Sequence, residues 1–115
     1  MKLLTKELEK KLSKKPLYST EAQGFDAEVI VKFFNPLGYS RWFITDGKKL
    51  PNGDWLMYGL VFITDWEWGC VLLSDLEKIK LPYDMGIERE ILYEGGHTVR
   101  EAFKLEGGVF YNAPL

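Results

Sequence analysis

The sequence predicts an α+β fold: a single small domain of 115 residues, with a mostly antiparallel sheet of four to six strands and two or three short helices. Three observations carry this reading. Four strand-like segments between residues 27 and 73 are joined by connections too short for a parallel crossover, which needs a dozen residues or more. Two capping boxes, Ser74–Glu77 and Thr98–Glu101, announce short helices outside that run. Hydrophobic residues make up 46% of the chain and aromatics 15%, enough to bury a core without disulfide or metal staples.

Taken in order, residues 5–14 read as a helix. Thr5 is its N-cap, Leu4, Leu8 and Leu12 form an apolar stripe, and Pro16 stops it. Lys2, Lys6, Lys10 and Lys14 make a second stripe at the same spacing. Residues 17–26 are polar, contain Gly24 and read as a loop. Strands are expected over Ala27–Phe34, Tyr39–Asp46, Asp54–Thr64 and Trp66–Leu73, separated by Asn35-Pro36, Asp46-Gly47, Pro51-Asn52-Gly53 and a tight turn at Thr64-Asp65. The third of these is apolar on both faces, so it is either central and covered on both sides or part of a strongly curled sheet. Ser74–Lys80 is expected as a helix with Ser74 as N-cap, Ile87–Glu94 as a strand, and Thr98 to Leu105 as the last helix. The tail Val109–Leu115 adds an edge strand or packs on the body. The chain thus divides into a basic N-terminal helix (1–15), an α+β core (17–94) and a C-terminal helix and tail (95–115), all within one domain, 1–115.

The formal net charge of −2 conceals an asymmetry. Residues 1–15 hold six Lys against two Glu, whereas the remaining hundred hold nine basic groups against fifteen acidic ones. A basic arm therefore sits on an acidic body. One Cys and one His exclude a zinc finger and any disulfide within the chain, and a lone thiol fits a reducing, cytoplasmic setting. No apolar run of about 20 residues is present, so no membrane association is expected.

The residues offer little catalytic machinery. Cys70, inside an apolar strand, is expected to be a buried, inert thiol, and His97 has no local signature that would pair it with Cys70. There is no Gly-Lys-Ser/Thr phosphate loop and no Gly-x-Gly-x-x-Gly. Asp65/Glu67 and Glu88/Glu90 are i, i+2 carboxylate pairs that would each point to one face of a strand. Such pairs suit Mg²⁺ or acid/base work, but charge on edge strands also discourages sheet aggregation, and that plainer role is preferred. No catalytic residue, metal site or cofactor is assigned.

The most unusual feature is the aromatic cluster of Trp42, Trp55, Tyr58, Phe62, Trp66 and Trp68, mixed with Asp46, Asp54, Asp65 and Glu67. Filling the core is its plainest role. Its sharper role is a protein-binding patch, since Trp and Tyr rimmed by carboxylates anchor a basic partner. Asp65, Trp66, Glu67 and Trp68, with Asp54 and Trp55, are the candidate contact residues, and Trp66, beside the tight turn, is expected to be the most exposed. Lys6, Lys10 and Lys14 are the alternative candidates, for phosphate contacts without base specificity.

Several segments carry a family resemblance: Met1-Lys-Leu-Leu-Thr-Lys-Glu-Leu8, Leu17-Tyr-Ser-Thr-Glu21, Val31-Lys-Phe-Phe-Asn-Pro36, Gly53-Asp-Trp-Leu-Met-Tyr-Gly-Leu-Val61, Glu67-Trp-Gly69, Leu73-Ser-Asp-Leu-Glu77 and Gly86-Ile-Glu-Arg-Glu90. Over roughly residues 1–94 the chain resembles the domain of unknown function 2958 family in order and spacing. Trp68 and Cys70 depart from the family's Leu-Gly-Tyr-like run. The resemblance implies a protein of plasmids, phages and integrative elements, and supplies no catalytic residue.

The expectation is therefore a non-enzymatic protein-binding module of a mobile genetic element, an inhibitor of host nucleic-acid-directed defence (anti-CRISPR or anti-restriction), whose partner is a basic nucleic-acid-binding host effector. A nucleic-acid-binding accessory protein using the Lys stripe is the alternative, and a small metal-dependent hydrolase built on the carboxylate pairs is the third reading. The oligomeric state is left open.

Overall fold

The computed structural model describes residues 2–91 and 95–106. Thr5 caps the first helix, α1 (Lys6–Ser13), its hydroxyl accepting a hydrogen bond from the Leu8 N–H at 3.3 Å. Leu4 and Leu12 of the apolar stripe are buried and Leu8 packs beside them, while Lys6, Lys10 and Lys14 face outward. After Pro16 the chain is more structured than a polar loop, because Glu21–Asp26 forms a 3₁₀ segment broken at Gly24.

The strands are β1 (Val31–Phe34), β2 (Arg41–Lys49), β3 (Trp55–Phe62) and β4 (Trp66–Leu72), joined by hairpins, and a two-residue β5 (Glu88–Arg89); Asp46-Gly47, expected to end the second strand, lies inside β2, whose residues 47–49 pair with β3. All five pair antiparallel in the order β4-β3-β2-β1-β5. The predicted α+β class and antiparallel sheet are therefore what the chain adopts. Between β3 and β4 the register runs from Leu56 opposite Leu72 to Phe62 opposite Trp66.

β3 is covered on both faces. Trp55 and Met57 join Leu4, Leu12, Phe33, Trp42, Ile44 and Leu76 in one core, under α1 and α2 (Leu73–Lys78). Leu60 joins Phe43, Trp66, Val99 and Ala102 in a second, under α3 (Val99–Leu105) and the 3₁₀ segment. The period-2 alternation of each strand thus serves two cores. Gly59 is the point of closest approach: a Cβ there would lie 1.8 Å from the Phe43 carbonyl oxygen.

Three further expectations change. β1 begins at Val31 rather than Ala27, because Ala27–Ile30 bond in several directions, Val29 N–H to the His97 carbonyl and Ile30 N–H to that of Ile44. The strand expected over Ile87–Glu94 is limited to Glu88–Arg89, with residues 92–94 outside the described ones, as is the tail Val109–Leu115. Ser74 is not the N-cap of its helix, which starts one residue earlier and ends at Lys78. Its local capping box is replaced by a distant carboxylate: Asp54 accepts the Ser74 N–H at 3.1 Å and the Ser74 hydroxyl at 2.6 Å. The second box forms as expected, Thr98 and Glu101 bonding reciprocally at the start of α3.

Candidate functional site

β2 contains a bulge between Ile44 and Asp46. Strict alternation would send Thr45 and Asp46 to opposite faces, but the bulge brings both side chains to Thr20. Asp46 is fully buried, and its carboxylate accepts from the Tyr18 N–H at 3.0 Å, the Thr20 N–H at 3.1 Å and the Thr20 hydroxyl at 2.6 Å. Because Thr20 spends its only hydroxyl proton on the carboxylate, the 2.7 Å contact to Thr45 is donated by Thr45. A buried carboxylate with three donors is a satisfied one.

This knot fixes the segment that builds the site. Tyr18 is held at φ 66°, in the left-handed region that a side chain ordinarily avoids. The conformation brings its ring edge-on to Tyr58, with centroids 5.4 Å apart, and Tyr58 in turn stacks on Trp68 at 6.2 Å. Phe25, from the 3₁₀ segment, meets Trp68 edge-on at 5.6 Å. Tyr18, Glu21, Tyr58, Trp68 and Cys70 line an open groove of about 620 Å³. Burial pushes the Tyr58 phenol above its ordinary range, with the Glu21 and Asp46 carboxylates adding to it. The Tyr18 phenol is also raised, first by its 3.3 Å hydrogen bond with the Cys70 Sγ. The groove therefore presents neutral aromatic faces in a negative field.

On the opposite face of the same strand, Trp42, Val61, Asp65, Glu67 and Val71 line a second groove of about 370 Å³. Gly69 and Cys70 border both, so β4 is the wall between them. No Lys or Arg among the described residues lines either groove.

The residues singled out from sequence are thus divided. Asp65 and Glu67 lie on the second groove, while Trp68 lies on the first and remains half-buried. Trp66, expected to be the most exposed, is 5% exposed: its ring is enclosed by Phe43, Phe62 and Phe103. Trp42 and Trp55 are core as well, and Trp55 Nε1 donates to Glu9 at 3.0 Å. Asp54 is occupied at the start of α2. Cys70 is exposed rather than buried, because it sits on an edge strand beside a groove that no described element covers.

Sequence reading missed Tyr18, Glu21 and Asp46 as parts of one site, because the link between residues 18–21 and residue 46 exists only through the bulge. The carboxylate pairs Asp65/Glu67 and Glu88/Glu90 belong to opposite edges of the sheet. Among the described residues, no three His, Cys, Asp or Glu side chains converge to hold a metal ion. No helix among them is long and apolar enough to cross a membrane.

Lys11, Lys14 and Lys15, with Glu28 and the Gly95-Gly96 backbone, surround a separate hollow of about 250 Å³ at the end of α1. Lys6, Lys10 and Lys14 form no ion pair among the described residues.

A family model described as "Protein of unknown function (DUF2958)" matches residues 3–105 of the chain, extending through α3 and past residue 94, where the resemblance read from the sequence ends. No curated protein and no solved structure matches the chain.

Proposed function

The chain belongs to the DUF2958 family, and from the geometry of its own groove we propose that it is a non-enzymatic protein-binding module that takes a cationic side chain of a basic partner. The observation that carries the reading is the groove itself: three aromatic rings, Tyr18, Tyr58 and Trp68, beside Glu21, with no basic residue among the described ones that line it. Aromatic faces attract Arg and Lys by about 0.5–2 kcal/mol, more as the cation is desolvated, and the carboxylate adds Coulombic attraction. The same acids repel phosphate, which places nucleic acid second as an occupant. The finer reading is that the partner is a nucleic-acid-binding effector of host defence, with this protein blocking its basic surface; it rests on the mobile-element setting that the family resemblance implies.

The test uses the intact protein and Arg-rich and Glu-rich peptides of equal length. Arg-rich peptides should bind, with affinity reduced at least tenfold by Trp68→Ala and by Glu21→Lys, each checked for native circular dichroism. Equal binding of both peptide types, or indifference to both substitutions, would overturn the reading.

A second reading has its own observation, the exposed Lys6, Lys10 and Lys14 along α1 and its C-cap, which form no ion pair among the described residues. It predicts salt-dependent retardation of duplex or single-stranded DNA, lost when the three are changed to Ala. No retardation at low salt would end it.

A further inference from the structure

We propose that the partner segment binds by adding a strand to β4, so that its alternate side chains enter the two grooves that flank this strand. The inference rests on the proposed groove function and names its mode. Three features of β4 support it.

β4 is an edge: it pairs with β3 on one side, and among the described residues no strand pairs with the other. An edge strand leaves every second N–H and C=O directed outward, a template on which an extended chain adds a strand. Edges exposed in this way are ordinarily blunted by inward charge, Pro or a covering element. β4, Trp-Glu-Trp-Gly-Cys-Val-Leu, has no Pro, a single charge and a Gly at its centre.

The side chains on each face of β4 stand above a hollow. Trp68 and Cys70 border the aromatic groove, and Glu67 and Val71 border the other. A strand laid along β4 sends successive side chains to opposite faces, so it reaches both hollows without leaving an extended conformation. Gly69, between Trp68 and Cys70, carries no side chain and has nothing within 4 Å of where a Cβ would be, which keeps the groove on the Glu67 and Val71 face open at the middle of the strand.

Charge selects the occupant. Glu21 stands in one groove and Asp65 and Glu67 in the other, with no cation among the described lining residues. A second copy of this chain would bring one acidic rim against another, whereas a basic, extended segment of another protein meets opposite charge in whichever groove its basic side chains enter, with an apolar wall of Val61 and Val71 in the second groove for apolar side chains. The occupant is that segment, with Arg favoured over Lys because its guanidinium stacks on aromatic rings.

The probe is acetyl-(Arg-Val)4-amide, compared with acetyl-(Arg-Pro)4-amide, which has the same charge but cannot lie in register as a strand. Binding is followed by Trp fluorescence, and backbone amide exchange is measured over the intact protein. The expected result is that (Arg-Val)4 binds at least tenfold more tightly than (Arg-Pro)4. Amides of residues 66–72 should slow their exchange at least tenfold on binding, while those of Glu88 and Arg89 at the opposite edge stay unchanged. Equal binding of both peptides with unaltered exchange over 66–72 would overturn strand addition and leave cation binding standing. Failure of both peptides to bind would remove the groove function and this inference together. Self-association of the free protein with residues 66–72 already protected would overturn the choice of occupant.

Discussion

The carboxylate of Asp46 holds Thr20 twice, through its backbone N–H at 3.1 Å and its hydroxyl at 2.6 Å, across 26 residues of chain. This contact joins the sheet to the segment that carries Tyr18 and Glu21. The candidate site therefore depends on a bulge in β2, one strand removed from β3 and two from the edge strand where the site opens.

Removal of that carboxylate should loosen the site before it unfolds the domain. In Asp46→Ala three donors, the two of Thr20 buried and that of Tyr18 part-buried, lose their acceptor, a loss of about 3 kcal/mol. Thr20→Val keeps the shape and removes the charged hydrogen bond to Asp46 together with the one accepted from Thr45, for about 2 kcal/mol. Urea unfolding monitored by circular dichroism gives both values, and amide exchange over residues 17–26 should accelerate in each variant. An Asp46→Ala midpoint equal to that of the parent would show that the knot contributes nothing.

The sheet was legible because its determinants are local. Hairpin turns at Asn35-Pro36 and Pro51-Asn52-Gly53, alternation within strands and the doubly apolar β3 are all properties of short windows. The site was legible only in part. Trp68 could be named from the aromatic excess, but so could Trp42, Trp55 and Trp66, and window-scale patterns do not say which ring an element from elsewhere will cover. Phe103 comes from α3 to enclose Trp66, and Phe25 leaves one side of Trp68 open. Ser74 shows the same limit. Its local capping box is intact in sequence, yet Asp54 offers the hydroxyl a charged acceptor, and charged hydrogen bonds are roughly twice as strong as neutral ones.

Two glycines with the same partner register should respond in opposite ways. Gly59 and Gly69 face each other across β3 and β4. A Cβ on Gly59 would meet the Phe43 carbonyl at 1.8 Å, a backbone atom that cannot turn aside, whereas one on Gly69 meets nothing within 4 Å. Gly59→Ala should therefore cost about 3 kcal/mol or more by forcing β2 and β3 apart, and Gly69→Ala should lie within about 0.5 kcal/mol of the parent. Thermal unfolding of the two variants side by side provides the comparison.

Acid should weaken the cap on α2 in a defined order. The Asp54 carboxyl is held below its usual range, first by the Ser74 hydroxyl and then, against the effect of burial, by the Trp55 and Ser74 N–H groups. A depressed folded-state value means that the stabilisation is complete above the unfolded carboxyl pKa, about 3.9, and is lost as pH falls through the lower folded one. Relative to Asp54→Asn, the parent should keep a constant advantage in Tm from pH 7 to about pH 5 and lose it below about pH 4. A gap that stays level down to pH 2 would contradict the assignment.

Exposure of Cys70 predicts native-state reactivity. Its Sγ donates to the Tyr18 hydroxyl at 3.3 Å but is otherwise open on the edge strand. Ellman's reagent should titrate one thiol per chain without denaturant, and saturating (Arg-Val)4 should slow the reaction at least fivefold. A thiol that reacts only in denaturant would place Cys70 in the core after all.

Of the four Trp residues, Trp42, Trp55 and Trp66 are buried and Trp68 is half-buried on the aromatic groove. Acrylamide quenching should thus resolve one accessible emitter against three protected ones. Trp68→Phe keeps an aromatic ring against Tyr58 and Phe25, so its cost should stay below about 1.5 kcal/mol. The same substitution should abolish the accessible component while leaving the protected emission intact. Addition of (Arg-Val)4 to the parent should shield that component, because a bound cation over the ring excludes the quencher, and it should have no effect on quenching in Trp68→Phe. If the accessible emission survives in Trp68→Phe, one of the other three rings must open to solvent, and the aromatic groove would lose the ring on which cation binding depends.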